Sequence, residues 1–206
     1  MLAGIHAAFR ATDPEVWPEA VRASAWALPW TSVPLMAAED GTLAPAEDAP
    51  DLPAVAPGDL MPKLAIKSWR DAGRLRVVRE GAPLDAAVAS LIAGPTWQQR
   101  LVLRAWLDAG LAPALHLSPW RAVGDETRYL AGTDGARHLS TCLRADGPRD
   151  AAAAKVLADT AWKEFGQARS LVVQMAYDAQ GAPLVVDVNP GLTLSELRFL
   201  EEEGLI

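Results

Sequence analysis

The feature that most constrains this chain lies near its end. Two apolar runs, Leu171–Tyr177 and Pro183–Asn189, flank Asp178-Ala179-Gln180-Gly181. Alternating apolar runs around a short polar, glycine-containing link predict a β-hairpin. Centring the hairpin between Gln180 and Gly181 sets Gln174 opposite Asp187. Asn189 then shares the Asp187 face, because side chains alternate with period two. Three oxygen-bearing side chains therefore gather on one face among valine, methionine and leucine. Burying an ionised aspartate without a partner costs on the order of several kcal/mol. A hard cation bridged to phosphate oxygens would supply that partner. A solvated sheet face, with Asn189-Pro190-Gly191 as a turn, accounts for the same residues.

The rest of the pattern mixes helices with strands. Asp150 is placed to cap a helix over 151–165, closed by Gly166, whose Ala154, Leu157, Ala158, Ala161 and Phe165 share one face. Pro83 to Ala93 predicts a short helix stopped by Gly94. Residues 126–131 and 136–142 flank Thr133-Asp134-Gly135 and predict a second hairpin. Strands are expected at Lys63–Trp69, at Leu75–Arg79 and around Leu101-Val102-Leu103. Asp13-Pro14-Glu15 starts an N-terminal helix, since aspartate caps and proline suits the first helical position. Residues 37–62 hold six acidic residues and five prolines, which predicts an extended surface segment without helix or central strand. The expected organisation is residues 1–62 as helix plus extended segment, 63–100 as one lobe and 101–206 as another. The class is α+β.

Length and composition narrow the function. A chain of 206 residues, half of them apolar, can bury a core. A net charge of −7 argues against a nucleic-acid partner, whose phosphates need a basic surplus. The single cysteine, Cys142, excludes an internal disulfide framework. No stretch has the length or composition of a membrane span or signal peptide, so a cytoplasmic protein without membrane partner is expected. Walker and dinucleotide loops are absent, and His6, His116 and His138 lack metal-ligand spacing.

Two further pairs of polar residues stand out. Glu126 and Arg128 share a strand face beside Tyr129; arginine there could meet a phosphate or merely pair with glutamate at the surface. The chain has four lysines, and Lys63 and Lys67 are expected on one strand face among Leu64, Ala65 and Ile66. Such a lysine holds a phosphate or snorkels to solvent.

Taken in order, these segments resemble the cell division cycle protein 123 family. Pro62-Lys63-Leu64 with Ser68-Trp69-Arg70-Asp71-Ala72 is similar to its proline–lysine–leucine and serine–x–basic–aspartate–alanine signature. Leu101-Val102-Leu103-Arg104-Ala105-Trp106 resembles its hinge strand. Glu126-Thr127-Arg128-Tyr129 resembles its Glu–aromatic–Arg motif, with threonine at the aromatic place. Val186-Asp187-Val188-Asn189-Pro190 resembles its closing Asp–x–Asn–Pro. Trp17-Pro18, Val33-Pro34-Leu35 and the acidic tract have similar counterparts, so the resemblance spans nearly the whole chain.

The resemblance implies an ATP-grasp fold, in which two lobes with mixed or antiparallel sheets close on ATP and Mg²⁺. Lys63 would hold the α and β phosphates, with Asp71 near the nucleotide. The backbone of Arg100, Leu101, Val102 and Leu103 would meet adenine. Arg128 would reach the terminal phosphate and act in any catalysis, while Asp187, Asn189 and Gln174 would hold the metal. Two departures matter. Position 174, thirteen residues before Asp187, usually carries a carboxylate in ATP-grasp proteins, and here it is glutamine. Residues 109–124 are longer than expected, so His116 and Trp120 are candidates for a lid or partner surface.

Eukaryotic members are ATP-binding assembly chaperones for the γ subunit of translation initiation factor 2. The alanine-rich composition suggests a bacterial or viral member, without that client. The resemblance thus implies an ATP- and magnesium-binding chaperone-like protein with a protein client. The alternative is an ATP-grasp ligase joining a carboxylate to an amine through an acyl phosphate.

Overall fold

Local chemistry sets the helices. Asp13 Oδ1 accepts from the Glu15 backbone N–H at 2.9 Å and caps a 3₁₀ turn, Pro14–Val16. Pro18 then breaks the run, so α1 (Glu19–Ala23) has only five residues. Pro83 and Gly94 bound α2 (Leu84–Ala93), as expected. The next helix, α3 (Trp97–Asp108), opens with a reciprocal cap. Thr96 N–H donates to Gln99 Oε1 at 2.8 Å, and Gln99 N–H donates to Thr96 Oγ1 at 3.2 Å. This helix corrects the strand expected at Leu101–Leu103. Gln99, Leu103 and Trp106 are buried at spacings of four and three, the helical period. Asp150 caps α4 (Ala151–Phe165) through the Ala153 N–H at 2.8 Å. The computed structural model describes residues 7–8, 10–38, 42–64, 67–68, 70–71, 74–108, 110–121, 125–142, 148–165 and 170–191.

The described residues form two compact units, one within 29–120 and one made of those within 7–28 and 121–191. In the first, β1 (Thr31–Ala37), β2 (Leu43–Pro45), β3 (Leu60–Leu64), β4 (Lys67–Ser68) and β7 (Ala114–Pro119) make an antiparallel sheet. Its order is β2-β1-β7-β3-β4; β5 (Arg70–Asp71) and β6 (Arg74–Leu75) pair separately. The proline-rich tract therefore contributes more strand than expected. Pro45 ends an edge strand, where a missing N–H is tolerated, and β4 pairs only with Lys63 and Leu64, past Pro62. The single strand expected over 63–69 is also corrected. Lys63 pairs with Ser68 and Leu64 with Lys67, so the chain reverses between them and period two does not join the lysines on one face. Val33, Leu35, Leu60, Leu64, Leu115 and Leu117 pack with Leu84, Val88, Leu91 and Ile92 of α2 and Leu103 and Trp106 of α3.

The second unit has the sheet order β11-β10-β8-β9, all antiparallel: β8 (Glu126–Gly132), β9 (Arg137–Cys142), β10 (Ser170–Tyr177) and β11 (Pro183–Pro190). Both expected hairpins are present. One sheet face carries buried Thr127, Tyr129, Ala131, Leu171, Val173, Met175 and Val188. Ala154, Ala158 and Ala161 of α4 pack with it, fully buried, with Leu157 and Phe165 at the margin. Small side chains let the helix lie close. Gly181 joins these layers: its φ is +87°, and a Cβ there would stand 2.8 Å from the Pro148 carbonyl carbon. The architecture is α+β with antiparallel sheets, as expected. Among the described residues no helix is long and apolar enough to cross a membrane.

Candidate functional site

The face of the second sheet that α4 does not cover is polar along one line. Gln174 lies opposite Asp187 on β11 and opposite Arg128 on β8, and Arg128 lies opposite Ser140 on β9. The row Asp187–Gln174–Arg128–Ser140 thus crosses all four strands. Asn189 stands two residues beyond Asp187, and Glu126 two before Arg128. Arg128 and Ser140 are exposed; Glu126, Gln174, Asp187 and Asn189 are half-buried.

The register has a physical cause that the sequence hid. Tyr177 faces Pro183 and Met175 faces Val185, yet Gln174 faces Asp187, so Val186 is an extra residue in β11. A second bulge follows the same logic on β9, where Arg128 faces Ser140 but Tyr129 faces His138, leaving Leu139 extra. Bulges re-aim side chains and increase local twist. Both flank this one row.

Hydrogen bonds orient the amides. Gln174 Nε2 donates to Glu126 Oε2 at 2.8 Å, and Asn189 Nδ2 donates to Asp187 Oδ2 at 3.2 Å. An ionised carboxylate only accepts, so each amide must turn its nitrogen toward the acid. Asp187 Oδ1 also accepts from the Val188 N–H at 3.1 Å. Asp187 is therefore hydrogen-bonded and half-buried, a correction to its reading as an unpartnered buried carboxylate.

Oxygen donors from one carboxylate and two amides suit a hard cation that keeps its remaining positions for water and phosphate, the habit of Mg²⁺. Among the described residues no group of three His, Cys, Asp or Glu could hold a metal. Glu126 is the residue that sequence reasoning left outside the metal set, although its two-residue spacing from Arg128 put it on this face.

In the other unit, Lys63 is half-buried in β3, beside His116 of β7. Just before β3, Asp59 binds Arg79 at 2.6 Å and the Glu80 N–H at 2.9 Å. The Glu80 N–H first, then Arg79, hold its carboxyl below the usual range. Asp71 lies in β5, with its side chain outside the described part of the structure; Trp69 and Ala72 lie outside the described residues. Arg100, Leu101, Val102 and Leu103 lie in α3. Helical backbone groups bond within the helix, as Arg100 N–H does to Thr96 O at 3.0 Å, so this backbone is not an extended edge for adenine. His116 is not in a lid either. It is 1% exposed in the sheet's central strand, and the Trp120 N–H donates to Asp59 O at 2.7 Å.

No protein-family model matches the sequence, and no curated protein matches it. Among solved structures the chain is similar to the ATP-grasp ligase PsnB in complex with precursor peptide PsnA2 and AMPPNP. That match has 17% identity and a TM-score of 0.33, over 69% of this chain and 40% of that one. It is also similar to D-alanine–D-alanine ligase from Bacillus anthracis, with 14% identity and a TM-score of 0.36, over 71% and 49%. The chain spans less than half of either. Likeness this slight carries no argument about site or reaction.

Proposed function

We propose that this chain binds ATP with Mg²⁺ in an ATP-grasp-type manner and acts on a protein client, in the way of the cell division cycle protein 123 family. The observation that carries the reading is the polar row Asp187–Gln174–Arg128, lying between two bulges on the sheet face away from the core. In this reading Asp187, Asn189 and the Gln174 carbonyl oxygen hold the metal. Arg128 and Lys63 offer fixed positive charge to phosphate. The metal supplies charge neutralisation for the phosphate chain. Asp71 stays a candidate from the motif alone, whereas residues 100–103 do not carry over as an adenine contact.

A second reading is a carboxylate–amine ligase acting through an acyl phosphate, and one contact favours it. Glu126 sits 2.8 Å from Gln174, which returns a carboxylate to the row where position 174 lacks one. Two acids and a cation-compensating arginine are a reasonable set for aligning a phosphoryl transfer. Calorimetry decides the shared part. Mg·ATP should bind in the range of about 1 μM to 1 mM, typical of nucleotide sites, and ATP without metal should bind more weakly. No heat at millimolar Mg·ATP would sink both readings. Release of ADP and phosphate that depends on an added amine would select the ligase over the client-binding protein.

A further inference from the structure

The five-stranded sheet carries its own polar row, built within one unit. Strand pairing sets Ser32 of β1 beside His116 of β7, and His116 beside Lys63 of β3. Ser32 Oγ and His116 Nδ1 lie 2.8 Å apart and share a hydrogen bond. The residues next to His116 in the strand, Leu115 and Leu117, belong to the apolar core with Val33 and Leu64. Alternation therefore puts Ser32, His116 and Lys63 together on the face away from that core.

This placement is costly for stability alone. His116 is 1% exposed in a central strand, where an apolar side chain would be buried without needing a partner. Its bond to Ser32 offsets the cost of burial, and it also fixes the ring plane. Directly opposed residues on neighbouring strands have Cβ atoms about 5 Å apart. The Lys63 stem consequently starts beside an imidazole whose orientation is set from its other side. Lysine has several rotatable bonds and loses up to about 2 kcal/mol of rotamer entropy when fixed. A rigid neighbour reduces the freedom left to be lost on binding.

We propose that His116, locked by Ser32, is a positioning residue for Lys63 and sets the aim of its ammonium toward a nucleotide phosphate. This rests on the ATP-binding reading for its ligand. His116 itself does not touch phosphate; it acts through Lys63, in keeping with its burial.

A double-mutant cycle on Mg·ATP affinity tests the idea, because coupling appears only if two residues act through one another. His116→Leu should weaken Mg·ATP about tenfold, a loss on the scale of one charge-assisted hydrogen bond, while adenosine binding stays at the wild-type level. His116→Gln, which keeps an acceptor for Ser32, should recover part of that loss. In a Lys63→Met background, His116→Leu should change affinity less than about twofold. Should His116→Leu fail to fold, Ser32→Ala carries the same cycle with a smaller first effect. Equal losses in both backgrounds, or a folded His116→Leu that binds Mg·ATP normally, would overturn the inference and leave the ATP reading standing. A wild type that binds no Mg·ATP overturns both.

Discussion

The two sheets solve one packing problem in opposite chemical ways. Each lays an apolar face on helices and carries a polar row across its strands on the other face. In the 126–190 sheet the row runs Asp187, Gln174 and exposed Arg128, and Glu126 stands beside it, two residues before Arg128. In the 31–119 sheet the row is Ser32, His116 and Lys63, with its centre fully buried and no carboxylate. The first kind of row suits a cation and the second suits an anion. The difference in burial matters as much as the difference in charge. Exposed Arg128 and half-buried Asp187 and Lys63 can exchange water for ligands, whereas buried His116 can only hold something else in place.

The comparison breaks most severely if the acid-bearing sheet is unseated. Asp125, just before β8, is 7% exposed and pairs with Arg149, whose Nε lies 2.6 Å from Asp125 Oδ2. Arg149 precedes the Asp150 cap, so this pair ties the sheet to α4. Asp125→Ala takes the buried carboxylate away from Arg149, whose side chain is 26% exposed, and should cost about 3 kcal/mol, seen as a lower urea midpoint. An unchanged midpoint would show that packing of α4, rather than the ion pair, anchors the sheet.

Asp187→Ala should change binding rather than fold. It removes the one carboxylate in the proposed metal set, so Mg²⁺-dependent ATP affinity should fall about a hundredfold. Stability should move by only about 1 kcal/mol, since Asp187 is half-buried and its hydrogen bonds to the Val188 N–H and to Asn189 are replaced by water. A mutant that unfolds, or binds Mg·ATP as the wild type does, would make Asp187 a structural residue.

Legibility from sequence differs between the sheets for physical reasons. The last hairpin, α4 and the Gly135 turn announce themselves through local signals: alternation, an Asp150 cap and positive-φ glycines. The Gln174–Asp187 pairing is legible too, but by the wrong arithmetic. The loop is centred one half-residue earlier than its composition suggests, and the Val186 bulge restores the register before Gln174. No sequence pattern marks that bulge. The 31–119 sheet is less legible because its strands pair over long sequence separations and carry prolines. Leu101-Val102-Leu103 resembles a strand as a bare apolar run. Thr96 and Gln99, a capping box three residues apart, and Trp106, two turns beyond Gln99, are the competing signals that win in three dimensions. His116 stands in an alternating run, Leu115-His116-Leu117-Ser118, which already reads as strand; the unexpected length of 109–124 points instead to a lid and obscures it.

Gln174→Asp sharpens the metal half of the comparison. A second carboxylate opposite Asp187 should tighten Mg²⁺ about tenfold in the presence of ATP. Without metal the new charge also meets Glu126, the present hydrogen-bond partner of Gln174. Like charges at these positions should lower apo stability by about 1 kcal/mol, recovered on adding Mg²⁺. Calorimetry and metal-dependent melting check both parts. Loss of stability that Mg²⁺ fails to restore would place the ion elsewhere than beside position 174.

The smallest expected effect belongs to the anion-suited sheet. Asp59 leads into β3, and its carboxylate accepts from the Glu80 N–H and Arg79. These partners lower its folded pKa, the backbone N–H most of all. The unfolded chain then binds the proton more tightly than the folded one as pH falls. Stability from this group is complete above the unfolded carboxylate pKa, about 3.9, and disappears as pH drops through the lower folded value. Asp59→Asn should therefore lower stability slightly at neutral pH, where the charged group contributes in full, and change it least well below about pH 4, so that the acid limb flattens. The group is solvent-exposed, so salt should screen part of the Arg79 contribution and leave the Glu80 bond. Urea midpoints at pH 3 and pH 7 for both proteins make the comparison. Equal acid slopes would show that the Asp59 turn forms too little of the folding unit to report on the strand carrying Lys63.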